Sequence, residues 1–195
     1  MKPYFDTSPL AGVLLLIVTL GWGAMEAAKP SSTRKGVTKV GGGGSRFAVL
    51  PVAIAATAML YLAPSLVPGA VIRPAAVAFA IGLVIMVAGL VLRGWSIKTL
   101  DEYFTGRVMV SPDQPVITAG PYRVLRHPSY AGLLLAFIGA GLAAANWVSL
   151  AAMFLLPLVA LLWRIHAEER ALLTVLGDRY RAYATRHKRL IPLIW

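Results

Sequence analysis

The arginine, histidine, tyrosine and glutamate residues best able to do chemistry fall in two stretches of this chain. The first is Ile117-Thr118-Ala119-Gly120-Pro121-Tyr122-Arg123-Val124-Leu125-Arg126-His127-Pro128-Ser129-Tyr130-Ala131-Gly132. The second begins Arg164-Ile165-His166-Ala167-Glu168-Glu169. Between them lie charge-free apolar runs over residues 129–145 and 148–163, joined at Asn146-Trp147. The cluster therefore flanks the open end of a hydrophobic hairpin, where ionisable groups are costly without partners and mark a site. Arginine can grip a carboxylate with two parallel donors. Tyrosine offers an aromatic wall with a polar tip, and its ring face attracts cations. Histidine and glutamate can take or give a proton. With no cysteine in the chain, thiolate chemistry and disulfides are excluded.

The elements that must position these residues are apolar helices. Of 195 residues, 58% are hydrophobic and 14% charged, against about 45–50% and 25% in soluble domains. Mean hydropathy is +0.71. This composition predicts an integral membrane protein in one compact bundle. Apolar runs over residues 8–25, 47–63, 75–92, 129–145 and 148–163 predict about five spans. The first reads as a retained helix rather than a cleaved signal, because Lys2 is offset by Asp6. Gly82 and Gly89, seven apart, either let a neighbouring helix approach closely or are generic membrane-helix glycines. Arg93 reads as a cation snorkelling from a helix end, and Pro157 as a kink in its helix. Gly41 to Ser45 reads as a flexible stretch in a basic loop. Leu172, Leu176, Tyr180 and Tyr183 form a helical stripe on a C-terminal amphipathic segment. Within that segment, Gly177 ends one helix and Asp178 caps the next.

The net charge of +11 raises nucleic acid as a partner, but the placement of the charges argues against it. The loops 26–46, 93–126 and 164–195 hold 17 of the 19 Lys and Arg, whereas the N-terminus and the 64–74 turn hold the other 2. The positive-inside rule then puts the basic loops and the C-terminus in the cytoplasm and the N-terminus outside. Anionic membrane lipids are the partners this pattern suits.

Gly120-Pro121-Tyr122, Arg126-His127-Pro128-x-Tyr130-x-Gly132, Arg164-Ile165-x-x-Glu168-Glu169-x-x-Leu172 and Gly177-x-x-Tyr180-x-x-Tyr183, in that order around an apolar hairpin, resemble the isoprenylcysteine carboxyl methyltransferase family. That family is itself similar to the phospholipid N-methyltransferases. The resemblance covers residues 117–192. It implies an all-α integral membrane fold: a bundle of about five transmembrane helices with a C-terminal helical hairpin and a cytoplasmic amphipathic segment. Residues 1–92 would form three N-terminal helices with their loops, and residues 93–195 a catalytic core.

By resemblance, the activity is S-adenosylmethionine-dependent methyl transfer to a lipophilic acceptor in a bacterial-type plasma membrane, at a site facing the cytoplasm. The acceptor is expected to be a carboxylate, isoprenylcysteine-like or another lipid acid. Such a transfer requires no metal and no nucleophile from the protein, only near-attack geometry and exclusion of water. Gly120, Tyr122, Arg126, His127, Tyr130 and Glu169 are then the expected cofactor-binding residues. Arg164 or Arg123 would orient a carboxylate acceptor. An amine acceptor would instead need a base, drawn from His127, His166 or Glu168.

Structural roles stand beside these. Arg123 and Arg126 suit head-group anchors, His127 a helix cap, Glu168 an i, i+4 pair with Arg164, and Tyr180 and Tyr183 packing. A phospholipid-type N-methyltransferase, an NADPH-dependent reductase and a non-enzymatic lipid-binding bundle are the alternatives.

Overall fold

The computed structural model describes residues 2–27, 44–104, 110–192 and 194–195. Most of the expected basic loop over residues 26–46, including Gly41–Gly43, lies outside them. A helical turn α1 (Tyr4–Thr7) precedes α2 (Pro9–Ala27), α3 (Gly44–Leu66), α4 (Ala75–Leu100), α5 (Pro128–Ala143), α6 (Trp147–Leu176) and α7 (Asp178–Arg186). Single 3₁₀ turns follow at Asp101–Tyr103 and Gly120–Arg123. No β-strand longer than an isolated bridge occurs among the described residues. The helices Pro9–Ala27, Ala75–Tyr103 and Trp147–Leu176 are long and apolar enough to cross a membrane, and Pro51–Leu66 and Pro128–Ala143 are apolar but shorter.

Helices α4 and α6 run well past the apolar stretches that start them. Nothing between Leu92 and Leu100, or between Trp163 and Leu176, interrupts the backbone ladder. Each stops at a residue in the left-handed region, Asp101 at φ 47° and Gly177 at φ 56°. Gly177 therefore ends α6 as expected, its N–H bonded to the Leu173 carbonyl. Asp178 does not cap α7: it is the first residue of that helix, and Gly177 holds the cap position. Because α6 is continuous, Arg164, Glu168 and Glu169 sit on its rigid last turns rather than on a loop.

The centre of the bundle is the seam between α4 and α5. A methyl group built on Gly89 would lie 2.5 Å from the Gly132 carbonyl, and one on Gly82 would lie 2.6 Å from the Gly139 carbonyl. One on Gly132 would lie 2.6 Å from the Gly89 carbonyl. Four glycines thus let two backbones touch, as small residues do between helices in lipid. Gly82 and Gly89 belong to the close-approach reading, and their partners Gly132 and Gly139 repeat the same spacing of seven.

At one end of the bundle, the turns 67–72 and 144–147 are tied together. Asn146 accepts from the N–H groups of Val148 (3.0 Å) and Ser149 (3.1 Å), capping α6, and donates to the Val67 carbonyl (3.2 Å). The Trp147 N–H reaches the Ala70 carbonyl at 2.8 Å. These two connections, poor in Lys and Arg, therefore share one end.

Arg93 corrects the snorkelling expectation. It is buried in α4 with 5% of its surface exposed. Its Nη1 donates to the Ser129 hydroxyl (3.0 Å) and carbonyl (3.2 Å), and its Nη2 to Glu26 Oε2 (3.1 Å). The guanidinium stays inside because it ties α2 to the first turn of α5. Trp22 of α2 adds an edge-on contact with Phe137 of α5 at 5.2 Å.

Candidate active site

The two motif stretches meet where α5 begins and α6 nears its end. Pro128 starts α5 with His127 at its N-cap position; the His127 carbonyl accepts from the N–H groups of Tyr130 (3.0 Å) and Ala131 (3.1 Å). The imidazole makes no capping bond and is free to point elsewhere. The C-terminal tail clamps the same segment. The Lys188 carbonyl accepts from the Arg126 N–H at 2.7 Å, and the Arg189 carbonyl from the His127 N–H at 3.1 Å.

Two polar clusters result. In the first, Glu169 is buried and both of its oxygens are engaged. Oε1 lies 2.8 Å from Arg126 Nη1 and 3.3 Å from His127 Nε2, and Oε2 accepts from Arg189 Nε at 2.9 Å. Arg189 in turn stacks on Trp195, 5.0 Å from the ring centre. In the second cluster, the Tyr130 hydroxyl donates to Glu168 Oε2 at 2.6 Å and accepts from Arg164 Nε at 2.7 Å. The Tyr130 ring stacks on His127, 5.6 Å apart and 10° from parallel, which joins the clusters. Adjacent glutamates thus have different surroundings. Glu169 is closed in by cations, whereas Glu168 borders an open space.

That space is a partly open cleft. Tyr122, Arg126, His127, Tyr130 and Glu168 line its polar side, and Leu100, Phe104, Val116, Ile117, Leu172 and Leu176 its apolar side. Tyr180 and Tyr183 of α7 complete the wall. The Tyr183 hydroxyl donates to the carbonyls of Tyr122 (2.8 Å) and Leu125 (3.2 Å). Burial pushes its pKa up to about 12, so it stays a neutral donor. Burial raises the Tyr122 phenol as well. Arg126 Nε and the Tyr180 hydroxyl are buried and have no hydrogen-bond partner among the described residues.

Several expected site residues are placed differently. Arg123 is exposed and absent from the cavity wall, because the 3₁₀ turn Gly120–Arg123 turns Tyr122 inward and its successor outward. It is not positioned to orient an acceptor in the cavity. Gly120, at φ 53°, is closely approached by α4 rather than by the cavity: a methyl there would lie 2.9 Å from Thr99 Oγ1. His166 is exposed, and its Nδ1 lies 2.8 Å from the Leu162 carbonyl. Arg189, Ser129 and Tyr180 were not expected at the site. Arg189 looks in sequence like one more head-group anchor in a basic tail. Among the described residues, no group of three or more His, Asp or Glu side chains could hold a metal.

Fold and site together define an integral membrane protein, all-helical among the described residues, with a polar cavity at one end of an apolar bundle. The model of the isoprenylcysteine carboxyl methyltransferase (ICMT) family matches residues 80–174. The chain is 30% identical over 115 residues to protein-S-isoprenylcysteine O-methyltransferase B of Arabidopsis thaliana, covering 58% of each chain. It is 34% identical over 116 residues to protein-S-isoprenylcysteine O-methyltransferase of Tribolium castaneum, covering 58% of this chain and 41% of that protein. The solved structure of the eukaryotic intramembrane Ras methyltransferase ICMT superposes with a TM-score of 0.63 at 28% identity, covering 74% of this chain and 52% of that one. Over residues 80–174 the chain is similar to the ICMT family. Its match spans about three fifths of the length of the plant relatives.

Proposed function

We propose that the cavity binds S-adenosylmethionine and that the chain transfers its methyl group to a lipophilic, membrane-dissolved carboxylate, isoprenylcysteine-like in character. One observation carries this reading: both motif stretches converge on one cavity that still has unpartnered buried donors on its wall. The residues present suit the donor molecule. The apolar side and the faces of Tyr122, Tyr180 and Tyr183 offer a slot for a planar base. Arg126 Nε and the Tyr180 hydroxyl can donate to an anionic group, and Glu168 can accept from an ammonium or a ribose hydroxyl. When bound, the donor supplies an electrophilic sulfonium methyl.

The chain's own residues hold, orient and exclude water. Glu169 fixes Arg126 and His127, so that their remaining faces line the cavity. Gly120 supports Tyr122 from behind by letting its turn lie against α4. Arg164, itself off the cavity wall, would serve an acceptor carboxylate through Tyr130, whose hydroxyl it holds beside Glu168. An acid needs no base at neutral pH, because it is already ionised. An amine acceptor would lose its proton to Glu168, the carboxylate that borders the cavity. Burial between helices with apolar outer faces suits an acceptor arriving sideways from lipid. The distribution of Lys and Arg along the sequence supports a cytoplasm-facing site in a bundle of about five spans. Reporter fusions at the C-terminus should then report cytoplasm, and those at Gly69 the outside.

The activity is tested by incubating the protein in lipid nanodiscs with methyl-labelled S-adenosylmethionine and a prenylated N-acetylcysteine. Base-labile label in the prenylated product is expected, the mark of a methyl ester. Base-stable label in phospholipid would favour the amine acceptor, and no transfer to either would overturn the reading.

A further inference from the structure

Tyr180 and Tyr183 stand three residues apart on α7, are both buried and both line the cavity. Their hydroxyls differ. That of Tyr183 is satisfied by two backbone carbonyls. That of Tyr180 has no partner among the described residues, although only 4% of the residue is exposed. Arg126 repeats the contrast within one side chain. Its Nη1 holds Glu169 at 2.8 Å, while its buried Nε is unpartnered among the described residues. Buried polar groups are hydrogen-bonded in the great majority of cases, and each exception calls for a cause. Burial raises the Tyr180 phenol, which keeps its proton and acts as a donor at neutral pH. The wall therefore carries two unused donors, one of them on a cation. The complementary ligand group accepts hydrogen bonds and bears negative charge.

We propose that the Tyr180 hydroxyl and Arg126 Nε form a subsite that receives a ligand carboxylate. The proposal rests on the methyltransferase reading, under which two molecules bring such a group: the donor through its amino-acid end, and the acid to be methylated. Tyr180→Phe removes one oxygen and keeps the ring, so it isolates the subsite.

Wild type and Tyr180→Phe are titrated calorimetrically with S-adenosylhomocysteine and with 5′-methylthioadenosine, which lacks the carboxylate. The KM for a prenylated N-acetylcysteine is measured alongside. A roughly tenfold loss for S-adenosylhomocysteine, with methylthioadenosine unchanged, places the donor's carboxylate in the subsite. Unchanged binding of both nucleosides with a roughly tenfold higher acceptor KM places the acceptor's carboxylate there. Equal losses for the two nucleosides, or no change in any of the three measurements, overturn the subsite. Stability gives an independent check. Tyr180→Phe should melt at or above the wild-type temperature, because it deletes an unpaired buried group, while Tyr183→Phe should melt below it. A decrease for Tyr180→Phe matching that of Tyr183→Phe would mean a structural hydrogen bond and would also overturn the proposal. If wild type itself binds no S-adenosylhomocysteine, the methyl-donor reading falls and the subsite with it. If wild type binds and the variant is unaltered throughout, the subsite alone falls.

Discussion

Along the α4–α5 seam, two backbones meet at glycines with no side chain between them. Beyond Arg93 and Ser129, the space next to the same two helices is filled by paired charges and tyrosines. The seam has one solution, set by contact distance, and any added atom must move a helix. The polar end is a set of exchanges. Glu169 answers Arg126, His127 and Arg189, and Tyr130 mediates between Arg164 and Glu168. The difference is one of tolerance. The seam can only be intact or broken, whereas the polar end can lose a partner, stay folded and change what it binds.

The largest effect should come from the seam. Gly139→Leu would drive a side chain into the backbone of α4 at Met86 and Gly82. Overpacking a tight core costs about 1–3 kcal/mol, occasionally more, and a backbone obstacle belongs at the upper end. Size exclusion after detergent extraction should show little or no monodisperse protein. A well-folded Gly139→Leu would break the contrast.

Next comes the buried carboxylate. Glu169→Gln leaves Arg126 and Arg189 without their anion. A hydrogen bond to a charged group is worth about 1.5–3 kcal/mol, so calorimetry should show S-adenosylhomocysteine affinity reduced roughly tenfold to a hundredfold. His127→Ala should behave similarly. Unchanged affinity in both, with folding intact, would make the Glu169 cluster purely architectural.

Arg164→Ala sharpens the comparison within the polar end. It should leave S-adenosylhomocysteine affinity nearly intact while lowering turnover and raising the acceptor KM, since Arg164 serves the acceptor through Tyr130. A loss of cofactor affinity as large as that of Glu169→Gln would merge the two clusters into one function.

The smallest effect belongs to Arg123. It is exposed and off the cavity wall, so Arg123→Ala should shift stability by no more than about 0.5 kcal/mol. Turnover should stay near wild type. A large loss of turnover would restore the acceptor role that its neighbours in sequence suggest.

These contrasts also explain how much of the fold and site is legible in the sequence. The apolar runs coincide with helices because burial in lipid leaves a composition signal over many residues. That Arg126, His127, Tyr130 and Glu168 lie together on one cavity wall was legible because their types and spacing carry a family resemblance around a hairpin. Arg93 was misread because its partners, Glu26 and Ser129, lie far away in sequence and nothing local distinguishes a buried arginine from a snorkelling one. Arg189 was hidden among the basic residues of the tail, and its contact with Glu169 needs the turn of the chain after α7. Tyr180 and Tyr183 share a motif and a helix, and only three-dimensional neighbours separate a satisfied hydroxyl from an unsatisfied one. Gly132 and Gly139 repeat the spacing of Gly82 and Gly89, a signal available in sequence that gains meaning only when the helices are paired.

The central claim is that the polar cavity is a methyl-donor site, and a thermal-shift titration of the detergent-solubilised protein tests it most directly. A ligand that binds only the folded state stabilises it by mass action, by about 2.7 kcal/mol at a hundredfold excess over Kd. S-adenosylhomocysteine should raise the melting temperature in a concentration-dependent way, and NADPH should leave it unchanged. Stabilisation by NADPH with no response to S-adenosylhomocysteine would contradict the account and favour a reductase built on the same bundle.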